Sequence, residues 1–257
     1  MKNKLPYIFL LLFVLSCNNN PIKPSDYTKE EIDKKYPYWQ IGIERFYIAP
    51  EISNYTVITV EEKRWALRSL ALMRAIINTP EFETAFMEKT NYIYSRAETY
   101  TNNEFPIKFG EPYNKNRLLD VIKNCKYDVQ YCKYNRTSQV AVGGVGPSRY
   151  ALEGFVDNLG YATYVGIPNM NWKSEFAYGI FIGFMGVIFH EHLHNIGLTH
   201  RGGYDATTAV QTVAEGIGKR ILGGDLKDKY QKQVEELTAY YYTEYKEWLI
   251  TSTTYNP

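Results

Sequence analysis

Residues 176–200 read FAYGIFIGFMGVIFHEHLHNIGLTH. The first fourteen of these residues carry no charge. The last eleven contain His190, His192, His194 and His200, the whole histidine complement of a 257-residue chain. Fourteen apolar residues are too few to cross about 30 Å of hydrocarbon as a helix. The stretch therefore predicts a helix buried in protein, over residues 174–195, with Ser174 as its cap. Gly179 and Gly183 lie four apart and share a helix face. Glycine lowers helix stability, so a close approach of another element on that face is the expected compensation.

The histidines are separated by their spacing. On an α-helix, His190 and His194 stand one above the other. Two imidazoles at that spacing can bind a single Zn²⁺. Glu191 is rotated by about 100° from His190 and can serve as general base beside the metal without ligating it. His192 is rotated by about 200°, which makes it a packing or supporting residue. A catalytic zinc usually has three protein ligands, and His200 is the candidate for the third. Gly197 can adopt the left-handed conformation that ends a helix and turns the chain back.

Residues 190–200 match H-E-x-x-H-x-x-G-x-x-H at every fixed position, and in this the chain resembles the metzincin zinc peptidases. The resemblance implies zinc held by His190, His194 and His200. It also implies that Glu191 activates the zinc-bound water that cleaves a peptide bond. The expected substrate is a peptide or protein. The implied fold is α+β with two lobes: a mixed sheet, a long buried active-site helix and a mainly helical C-terminal lobe. On that pattern the N-terminal lobe covers residues 36–197 and the C-terminal lobe residues 198–257. A strand at 161–167 is expected to run along the cleft and pair with substrate. The chain departs from the family below the metal. Metzincins have a methionine-containing turn there, and this chain has no methionine after Met185. Val210 and Val213 are the candidates for that place.

The rest of the chain fits around this segment. Residues 61–89 carry Trp65, Leu67, Leu70, Leu72, Met73, Ile76 and Ile77 at helical spacing, interrupted at Thr79-Pro80, where a second helix should start. Residues 90–170 contain short β-branched and aromatic runs bounded by Gly, Pro and Asn, which read as strands. Residues 225–250 return to helical spacing.

The first seventeen residues, MKNKLPYIFLLLFVLSC, combine a basic start, a short apolar centre and a small-residue end. They read as a secretory signal over residues 1–16. Leu15-Ser16-Cys17 resembles a bacterial lipobox. The expectation is therefore export, lipidation at Cys17, a tether over residues 17–35 and a catalytic domain over residues 36–257, anchored to a bacterial membrane. Removal of residues 1–16 leaves 27 basic and 28 acidic side chains, which argues against nucleic acid as a partner. Cys125 and Cys132 are too few for a thiolate metal site. In an exported chain a disulfide between them is the expectation, with two thiols as the alternative.

Two other readings compete. Glu215, 21 residues after His194, could replace His200 as third ligand or support a ligand from outside the coordination shell. Alternatively, the chain could be a surface lipoprotein that binds zinc and a partner but does not turn over substrate. A di-iron site is excluded because no second Glu-x-x-His exists.

Overall fold

The computed structural model describes residues 24–48, 57–89, 115–125, 129–133, 144–145, 150–151, 154–155, 162–165, 177–196 and 206–254. The first elements are helix α1 (Lys29–Lys35), strands β1 (Ile43–Ile48) and β2 (Val57–Ile58), and helices α2 (Val60–Ile77), α3 (Pro80–Glu88) and α4 (Lys115–Lys123). Short strands follow: β3 (Val129–Lys133), β4 (Gly144–Val145), β5 (Tyr150–Ala151), β6 (Gly154–Phe155) and β7 (Ala162–Val165). Helices α5 (Ala177–Asn195), α6 (Ala206–Gly223) and α7 (Lys227–Glu244), a 3-10 turn (Lys246–Leu249) and β8 (Thr253–Thr254) complete the order.

Local sequence starts the first three helices. Thr28 and Glu31 form a capping box on α1, and Thr59 and Glu62 form one on α2, each satisfying two amides that a helix start leaves unpaired. Thr79 caps α3 by accepting from the Phe82 amide at 3.1 Å, and Pro80 occupies the first turn. The break expected at Thr79-Pro80 is therefore the junction of α2 and α3. The amphipathic pattern read over α2 understates its burial. From Trp65 to Ile77 only Arg68 is not buried, because α2 is enclosed by α5, α6 and α7.

The expected α+β fold with a mixed sheet as its scaffold is corrected: the described chain is mostly helical, with seven α-helices. Strand pairing is confined to short segments. β2 and β8 form an antiparallel ribbon, and β5 and β6 form a second. β1, β3, β7 and β4 pair in that order over two to five positions, parallel except between β7 and β4. These pairings do not carry the core, whose described residues lie mainly on α2, α3, α5, α6 and α7. Elements from both sides of residue 198 contribute described residues to that core. The physical reason lies in α2 and α5: both are apolar on more than one face, and only other helices surrounding them can cover those faces. The strand expected at 161–167 is β7, which pairs with β3 at Thr163–Val165 and with β4 at Ala162 and Thr163. Among the described residues, the edge of β7 away from β3 is covered only at Ala162 and Thr163.

Trp39 fixes the approach to α5. It is buried and has φ +57°, a left-handed conformation that is strained for a bulky side chain. Its ring packs edge-on against Phe189, at 6.1 Å between centroids, and against His192, at 5.2 Å. The N-terminal segment is tied down by Arg74, which is 2 % exposed. Its guanidinium donates to Asp33 Oδ1 at 2.6 Å and to the Tyr36 carbonyl at 2.7 Å. α1 thus lies within the stretch read as tether, yet it buries Ile32 completely.

Burial alone would raise the Asp33 pKa, but hydrogen bonds from Lys29 and Arg74 outweigh it and hold the carboxyl below its ordinary value. A depressed value means that this stabilisation is present above the ordinary carboxylate range and is lost as pH falls through it. Asp33→Asn is expected to lower the unfolding free energy by about 2 to 3 kcal/mol at pH 7, because Arg74 is left buried without its counter-charge. Denaturant titrations of both proteins should show the gap closing below about pH 4; a gap that stays constant down to pH 3 contradicts this account.

Candidate metal centre

Helix α5 runs from an apolar core segment into the histidine cluster. Phe181, Ile182, Met185, Ile188, Phe189 and Leu193 are buried, and each such side chain contributes about 1.5 to 3 kcal/mol. That total outweighs the cost of its three glycines, about 1 kcal/mol each. Phe181 meets Trp65 of α2, Phe189 meets Phe82 of α3, and Ile182 and Met185 lie against Gly218 of α6. β4 also runs alongside α5. The expected close approach at Gly183 is corrected. A Cβ there would meet nothing within 4 Å, whereas one at Gly186 would sit 2.1 Å from Glu215 Oε1. The close approach has moved by three residues and comes from a side chain of α6.

One turn after Gly186 stands His190, partly exposed. Its Nδ1 lies 2.8 Å from Gln211 Oε1, and Gln211 Nε2 donates to Glu215 Oε1 at 2.8 Å. Gly186 faces Glu215 and His190 faces Gln211, so α5 and α6 run antiparallel at this level. An amide oxygen only accepts, so the neutral His190 ring carries its proton on Nδ1 and its lone pair on Nε2.

The backbone of α5 also carries Glu191 and His194, one position and one turn beyond His190. Their side chains lie outside the described residues, as do Gly197, His200 and Cys17. Among the described residues no group of three or more His, Cys, Asp or Glu side chains forms a metal cluster. Of the expected ligands, only His190 has a described side chain. Cys125 is buried, and the side chain of its expected partner Cys132 lies outside the described residues. Among the described residues no helix is long and apolar enough to cross a membrane.

His192 takes the packing role that its rotation suggested. It is 1 % exposed, and among the described residues neither ring nitrogen has a hydrogen-bond partner. Burial pushes its pKa down to about 3, so the ring is neutral. Val210 and Val213, the candidates for the methionine's place, are buried on α6, so a helix runs where a turn was expected. Glu215 belongs to the same helix. Its carboxylate rests against Gly186, one turn before His190 on α5, and accepts from Gln211. Gln211 was not legible from sequence. Its one signal, the i, i+4 spacing to Glu215, acquires meaning only once α6 is known to face α5.

The chain matches no protein-family model, no curated protein and no solved structure. The functional case therefore rests on its own residues.

An imidazole buried without partners costs more than an apolar group of similar size. His192→Leu is expected to leave thermal stability at pH 7 unchanged or to raise it by up to about 1 kcal/mol. A loss above about 2 kcal/mol would show that the ring has a polar partner.

Proposed function

We propose that this chain is a zinc-dependent peptidase that is exported and anchored to a bacterial membrane through a lipid on Cys17. The observation that carries the reading is the Nδ1 hydrogen bond of His190 to Gln211. It leaves the lone pair on Nε2, the arrangement usual for a metal-bound imidazole. The described part of the donor set therefore fits zinc. His190, His194 and His200 would hold the ion, and their spacing along 190–200 supports that set. The reading draws on this ligand pattern and not on a metzincin fold.

Zinc, when bound, supplies a Lewis acid that polarises the scissile carbonyl. The chain's own residues handle the proton. Glu191 takes it from the attacking water and returns it to the departing amine, so the carboxylate is regenerated. The buried body of α5 holds the cluster on a rigid helix, and the ring of Trp39 closes its far side at His192. Peptides and proteins are the substrate class, and nothing in the charge balance supports nucleic acid.

One observation favours a second reading. β7 has a partner on each side, β3 at Thr163–Val165 and β4 at Ala162 and Thr163, which shortens the edge left to the strand expected to align a substrate. A lipoprotein that keeps zinc and binds a partner without cleaving it would not need that edge.

Metal analysis of the purified full-length chain, together with a peptide-library cleavage assay, separates the two. The peptidase reading expects one zinc per chain, and cleavage that is lost on chelation. It expects Glu191→Ala to retain zinc while losing activity by about 10²-fold or more, and His190→Ala to lose zinc. Stoichiometric zinc with no cleavage of any peptide selects the binding reading. A wild type without zinc overturns both.

A further inference from the structure

We infer that Gln211 and Glu215 are positioning residues for the proposed zinc centre: Glu215 orients the amide of Gln211, and Gln211 in turn sets the tautomer of His190. The inference rests on the zinc reading above and extends it to α6, which supplies none of the proposed ligands. A carboxylate accepts hydrogen bonds and donates none. Gln211 lies 2.8 Å from Glu215 Oε1 and must turn its NH₂ toward it. A reversed amide would bring two acceptor oxygens to that distance. With the NH₂ committed, the amide oxygen faces His190 at 2.8 Å, and only an Nδ1–H can meet it. The lone pair is then held on Nε2. The negative charge of Glu215 is thus relayed through one neutral amide into the choice of His190 nitrogen.

Gly186 makes the relay possible. A Cβ at this position would lie 2.1 Å from Glu215 Oε1 and 2.7 Å from both Cδ and Cγ. The carboxylate occupies the volume that any other residue would fill, one turn before His190 on the same helix. The obstructed atoms are the end of a flexible side chain. Gly186→Ala should therefore displace Glu215 without dismantling the core. Gly183 is the control, because a Cβ there meets nothing within 4 Å.

The test has two readouts on the full-length chain. The first is nitrogen-15 spectroscopy of the histidine rings in the metal-free protein. With only four histidines, His190 can be assigned by its loss in His190→Ala. The second is zinc affinity, measured by competition with a chelator. The wild type should show His190 as the Nδ1–H tautomer. Glu215→Gln and Gly186→Ala should each admit the Nε2–H tautomer and weaken zinc binding by about 10- to 100-fold. Gly183→Ala should change neither readout. The swap of Gln211→Glu with Glu215→Gln keeps one negative charge and one amide in reversed order. It should restore both the tautomer and the affinity, which a loss caused by misfolding would not allow. An Nε2–H tautomer in the wild type overturns the inference. So do single variants that bind zinc as tightly as a zinc-binding wild type with an unchanged tautomer. A wild type that binds no zinc, or a His190→Ala chain that binds it equally well, overturns the zinc reading itself.

Discussion

The structure depends on enclosing α5. A helix whose first three turns carry no charge cannot leave a face in water without losing several side chains' worth of burial, each about 1.5 to 3 kcal/mol. It must be covered by partners of matching shape. Trp65 of α2, Phe82 of α3, Gly218 of α6 and the left-handed Trp39 cover it. Once these contacts are made, the direction of α5 is set, and so is the place where its polar C-terminal turns emerge. His190 and His192 are held by that packing.

The same enclosure decides which elements could be read from the chain. The break at Thr79-Pro80 is legible because proline and a capping threonine act locally. So is the burial of the apolar half of α5, since length and lack of charge leave no other place for it. The fold class was not legible. The pattern at 190–200 implied the sheet-based scaffold of the family it resembles, but eleven residues specify a ligand geometry and not what packs behind it. The buried faces of α2 and the antiparallel seating of α6 on α5 are tertiary facts. Gly186 shows the limit well. Glycine in a helix announces that something approaches closely, but not whether it is Gly183 or Gly186 that is approached, or by which side chain.

The helical placement of two histidines was legible for a clear reason: periodicity puts His190 and His194 on one face of α5 and His192 on another. The structure adds what lies beside the expected metal. Val210 and Val213, the candidates for the place of a methionine turn, lie on a helix, and Gln211 of that helix meets His190 at Nδ1. Glu215, a rival ligand on spacing alone, accepts a hydrogen bond from Gln211 at 2.8 Å. A helix in this place changes the character of the support. A turn offers a soft apolar floor, whereas α6 offers a directional hydrogen bond to a single ring nitrogen.

The central claim is that three imidazoles, from His190, His194 and His200, share one zinc ion. X-ray absorption at the zinc edge of the metal-loaded full-length chain tests it most directly. The account predicts three imidazole nitrogens at about 2.0 to 2.1 Å, with no sulfur near 2.3 Å, and the loss of one imidazole in His200→Ala. A spectrum unchanged by His200→Ala, or a sulfur shell in the wild type, would contradict it.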